Sequence, residues 1–121
     1  MLHSVRRALR VATGHRFIDV LEETPGRLTL RAIGCTTTVD KSTNLLVQNG
    51  RRLASIEAVK DVHMSQPMNS DGPPNWWIGL RLPGGRRIEV DSITDSTDAS
   101  LIAAKLSTAT GKPVRLGVGI E

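Results

Sequence analysis

Aromatic side chains are almost missing from this 121-residue chain: Phe17, Trp76 and Trp77 are the complete set, and there is no tyrosine. A core must therefore be packed from Leu, Ile, Val and Ala, and there is no run of rings on which successive bases would stack. Cysteine is limited to Cys35, which excludes an internal disulfide and a thiolate zinc cluster. That usage fits a reducing compartment. No segment approaches the run of about 18 apolar residues that spans a bilayer, and Met1–Ala12 lacks the apolar stretch of a secretory signal. The expected location is the cytoplasm, with peripheral membrane contact as an alternative.

Acidic residues are missing as well from the start of the chain. Arg6, Arg7, Arg10 and Arg16 precede the first carboxylate, Asp19, so the formal charge of +4 resides in the N-terminal segment and the rest of the chain is balanced. That placement argues against a basic footprint spread over a domain face, and nucleic acid is not an expected partner.

The motifs of phosphate and metal chemistry are also lacking. Gly111-Lys112 runs into Pro113, where a phosphate-binding loop needs Ser or Thr opening a helix, and no Gly-x-Gly-x-x-Gly occurs. His3, His15 and His63 are scattered and have no cysteine pair to join. No cofactor and no metal are expected, and the chain reads as a non-enzyme. Composition alone leaves a Ser–His or Cys–His nucleophile open, but Cys35 reads as a small strand or loop residue.

What is present divides into two periodicities. From Phe17 to Ile93 apolar residues mostly alternate, broken at short intervals by turn residues. Phe17–Glu22 ends at Glu23-Thr24-Pro25-Gly26. Arg27–Ile33 places Leu28, Leu30 and Ala32 on one face. Thr36–Asp40 is β-branched, and Asn44–Gln48 runs into Asn49-Gly50, the strongest hairpin signal in the chain. Arg52–Met64 is less regular, with one tight turn suggested by Ile56 and Val59; His63 would face solvent or a neighbouring strand. Ser65–Asn75 reads as a loop. Trp76, Ile78, Leu80 and Leu82 alternate, and Pro83-Gly84-Gly85 returns the chain to Ile88 and Val90. From Thr97 to Thr110 the spacing is helical: Ala99, Ile102, Ala103, Leu106 and Ala109 form one stripe, with an N-cap among Asp95, Ser96 and Thr97 and a stop at Gly111 and Pro113. Met1–Ala12 suggests a second short helix.

The expected fold is mainly β, about seven strands followed by one amphipathic capping helix. This order resembles the pleckstrin-homology (PH) superfold, and small bacterial PH-like domains in particular. The resemblance is carried by Thr38–Val47, similar to the "VDR…LLV" hairpin of those domains, by Ile56–Val62, by Trp77–Ile88 and by Ser96–Val114. It implies a bent seven-stranded antiparallel barrel over residues 17–114, a basic extension at 1–16 and a tail at 115–121. It further implies that Arg27, Lys41, Arg86 and Arg87 approach one another at the open end, where they would bind a phosphate or an acidic peptide. Strand two departs from the phosphoinositide-binding pattern, Lys/Arg-x-Arg, by carrying Thr29-Leu30-Arg31, and Glu22 and Glu23 lie beside the same turn.

Trp76 and Trp77 point to opposite faces of a strand, Trp76 into the core and Trp77 toward the Ser65–Asn75 loop or an interface. The expected function is a protein-binding interaction module, self-associating through edge strands or Trp77. The alternative is an anionic-lipid binder using Arg6, Arg7 and Arg10 together with the basic loop ends.

Overall fold

The structure, a computed structural model, describes residues 18–66 and 75–118. The expected Met1–Ala12 helix, the extension at 1–16 with Arg6, Arg7 and Arg10, and most of the stretch expected as a Ser65–Asn75 loop lie outside the described residues.

Five antiparallel strands run as a meander: β1 Asp19–Thr24, β2 Arg27–Ala32, β3 Cys35–Asp40, β4 Leu45–Gln48 and β5 Arg51–Ser55. Each link is a tight turn with the expected chemistry. At Asn49-Gly50 both residues take positive φ, 52° and 80°, which matches the right-handed twist of a two-residue hairpin. The Asn49 side-chain carbonyl also accepts from the Thr36 N–H at 2.9 Å, tying the turn to β3.

A 3-10 turn at Ile56–Ala58 carries the chain into a second sheet. Its members are β6 Asp61–Gln66, β7 Trp76–Arg81 and β8 Arg87–Ile93, followed by helix α1 Ser96–Thr110 and strand β9 Val114–Val118. The strand order is β8-β7-β6-β9, with β9 parallel to β6. A parallel neighbour cannot be reached by a hairpin, so α1 serves as the crossover from β8.

The mainly β reading with one capping helix holds, but the ladders do not close into a barrel. Nine strands are described in two sheets. The increase over seven has two sources. The irregular Arg52–Met64 stretch divides into β5 and β6 at the predicted turn, and Val114–Val118, expected as the exit and tail, adds β9.

One core takes side chains from both sheets and from the helix. Leu28, Leu30, Ala32, Val39 and Leu46 come from the first sheet, and Val62, Met64, Ile78, Leu80, Ile88, Val90 and Ile93 from the second. α1 lays Ala99, Ile102, Ala103 and Leu106 against them, the stripe read from the sequence, while Ala109 is partly buried at its edge. Asp95 is the N-cap, accepting from the Asp98 N–H at 2.9 Å, and Gly111 closes the helix in the left-handed conformation. Trp76 packs against this core as expected.

The second sheet bends at a bulge between Ile78 and Gly79. A Cβ on Gly79 would stand 2.7 Å from the Ile88 carbonyl oxygen, so this close approach of β7 and β8 requires glycine. Gln48 Nε2 donates across to the second sheet, to the Glu89 carbonyl at 2.7 Å, and within its own sheet to Thr37 Oγ1 at 3.1 Å.

Candidate functional site

The four basic residues assigned to one open end lie at turns of two different sheets. At the first, Arg27 lies opposite Asp40 across the β2–β3 ladder, and the Lys41 N–H donates to the Gly26 carbonyl at 2.9 Å. Arg27 is committed to its own fold: one guanidinium nitrogen is 3.0 Å from Asp40 and the other 3.8 Å from Glu22. The Asp40 carboxyl is pushed down to about 2, first by the Ser42 hydroxyl that donates to it at 2.6 Å and then by Arg27, against the opposing effect of burial. Lys41 is exposed.

The second group surrounds the β7–β8 turn. A half-open depression of about 130 Å³ is lined by Lys60, Arg81, Leu82, Gly85, Arg86 and Arg87. Arg86 and Arg87 therefore meet, but their companions are Lys60 and Arg81; Arg27 and Lys41 do not line the depression. Backbone bonds set its walls: the Lys60 N–H donates to the Arg81 carbonyl and the Leu82 N–H to the Arg86 carbonyl, both at 2.8 Å.

Arg81 is fixed by a bidentate bond to Asp61, its cross-strand partner, with Nε 2.8 Å and Nη2 2.7 Å from the two carboxylate oxygens. Arg115 approaches the same carboxylate at 3.9 Å. The hydrogen bond from Arg81 holds the Asp61 carboxyl below the usual carboxylate range, although burial opposes it. Among the described residues, Lys60, Arg86 and Arg87 form no ion pair.

Sequence reasoning missed Lys60 and Arg81 as members of this group. The signal for Arg81 was available: a turn over Pro83–Gly85 places Arg81 opposite Arg87. Lys60 is brought in by the 3-10 turn, a tertiary effect with no local signature.

Trp77 is 40% exposed on the face of the second sheet turned away from the core, between Ser65 on β6 and Ser92 on β8. His63 lies in the same row, opposite Gly79 and beside Arg115, and is buried rather than facing solvent. On β9, Val114 and Leu116 are exposed, Leu116 by 71%. Their register partners, Val62 and Met64, are core residues, so β9 carries a core-type row beyond the covered part of the sheet.

Cys35 is half-buried, with its sulfur 3.8 Å from Thr37 Oγ1. Among the described residues, no group of three or more His, Cys, Asp or Glu is placed to hold a metal ion, and no helix is long and apolar enough to cross a membrane. In comparison with known proteins, no family model matches the chain and no curated protein is similar to it in sequence.

Proposed function

We propose that the chain is a non-enzymatic PH-like interaction module that binds protein and pairs with itself through β9. The observation that carries this reading is the outer strand of the second sheet, which leaves Leu116 71% exposed in a row that continues the core. Among the described residues β9 is paired on one side only, by β6, and an open edge is a template for another extended chain.

The sequence of β9 is suited to a second copy of itself. In an antiparallel pair centred on Leu116, Arg115 of one copy lies opposite Gly117 of the other, and Val114 lies opposite Val118. The arginines avoid one another while Leu116 meets Leu116. Backbone hydrogen bonds contribute about 1 kcal/mol each net, and association costs at least about 4 kcal/mol, so a five-residue edge supports a weak dimer. Trp77, outward-facing on the same sheet, supplies an aromatic anchor for a partner. Light scattering across concentration tests the self-association: the mean mass should climb above 13.1 kDa as the protein is concentrated, and a constant monomer mass would reject it.

The PH-like reading is supported by the order of elements, an antiparallel meander in two sheets followed by a helix, and β9 is an addition to that pattern. A second reading, peripheral binding to an anionic membrane, is favoured by Arg86 and Arg87 at the β7–β8 turn, which form no ion pair among the described residues, and by Arg6, Arg7 and Arg10. Co-sedimentation with anionic vesicles should weaken when residues 1–16 are removed; equal binding with and without them would exclude the arm.

A further inference from the structure

We infer that the depression formed by Lys60, Arg81, Arg86 and Arg87 is a binding site for a single phosphate-type oxyanion, as a phosphate monoester presents it. This inference is independent of β9. Three observations carry it.

First, the charge is concentrated and largely uncompensated. Four cationic side chains line one small hollow, and among the described residues only Arg81 of the four has a carboxylate partner, Asp61. Glu89 stands two residues from Arg87 on β8, opposite Gly79, and forms no ion pair with it among the described residues. Second, Arg81 and Arg87 are direct cross-strand partners. Asp61 already offsets the charge of Arg81 in that pair, whereas Arg87 has no carboxylate partner among the described residues, and an anion in the hollow would supply it one. Third, the site is partly built in advance. Asp61 uses both of its oxygens to hold Arg81, which positions that guanidinium without ligand, and the backbone bonds of Lys60 and Leu82 hold the surrounding chain.

Charge and fork geometry select the ligand. A half-open hollow of about 130 Å³ has room for one tetrahedral oxyanion. A phosphate monoester carries about −1.5 to −2 at neutral pH, and arginine's planar fork matches its oxygens in pairs. The surrounding solvent access leaves space for whatever the phosphate is attached to.

The test is a titration of the full chain with inorganic phosphate, followed by amide NMR at constant ionic strength. Saturable shifts are expected at Lys60, Gly85, Arg86 and Arg87, and an R86A/R87A double variant should weaken binding about tenfold or more. Lys41→Ala, at the other basic group, should leave the affinity unchanged. A response that chloride reproduces, or that the double variant and Lys41→Ala alter equally, would overturn the site. Vesicles separate the two sources of the group. Co-sedimentation with phosphatidic acid in preference to phosphatidylserine, lost in R86A/R87A, assigns a lipid headgroup; a phosphate titration without that preference assigns a soluble monoester. No response in either arm overturns the inference. Leu116→Lys should bind phosphate as the parent does, so failure of this site and failure of the β9 reading are told apart.

Discussion

Asp40 shows how Arg27, a residue expected to bind a ligand, is taken by its own fold. Ser42 and Arg27 both donate to its carboxylate, and the resulting pKa near 2 lies below the ordinary value of 3.8. A depressed carboxyl stabilises the fold above its unfolded pKa, and that contribution is lost as pH falls through the folded value. Thermal stability should therefore decline between about pH 4 and pH 2, and Asp40→Asn should flatten that acid limb while lowering stability at pH 7. Melting curves across pH for the two proteins check this; an unchanged acid limb in Asp40→Asn would contradict the assignment. None of it was legible in the sequence, where Arg27 reads as a free cation beside a turn. The pair exists because the β2–β3 register sets Arg27 against Asp40, and register is fixed by the whole sheet. Trp77 was legible to a greater degree. Alternation alone places it opposite Trp76, but its 40% exposure depends on what neighbours it across β6 and β8, which are two serines.

Single elements differ in how strongly they declare themselves. In α1 the stripe, the cap and the stop are all local, and each appears where spacing places it. The energetic consequence separates two leucines five residues apart. Leu106 is fully buried and Leu101 is 54% exposed. Leu106→Ala should cost about 3 kcal/mol through lost burial and a residual cavity, whereas Leu101→Ala should stay within about 0.5 kcal/mol. Urea unfolding of both variants measures the difference, and similar losses would mean that the helix is not seated on the core as described. β9 was hidden for the opposite reason. Its five residues alternate Val, Leu and Val, but they follow Gly111 and Pro113, which read as the end of a domain. Their partner β6 lies some fifty positions earlier, and no local rule predicts a parallel pairing at that distance. The β5–β6 division was half visible, since the 3-10 turn was legible from Ile56 and Val59 but the change of sheet was not.

For the whole molecule, charge and shape lead to different surfaces. Net charge points to the N-terminal arginines, while the described residues gather cations around one hairpin and exposed apolar side chains along one edge. The edge carries the proposed function, because hydrogen-bonding groups and an apolar row are presented together. Sedimentation equilibrium of the parent chain beside Leu116→Lys tests that proposal. Leu116 is exposed, so the substitution should leave the melting temperature of the monomer nearly unchanged. The account predicts a monomer–dimer equilibrium in the parent, shifted to monomer in Leu116→Lys by opposed lysines at the centre of the β9 pair. A parent that remains monomeric at high concentration, or a variant that dimerises as strongly as the parent, would contradict it.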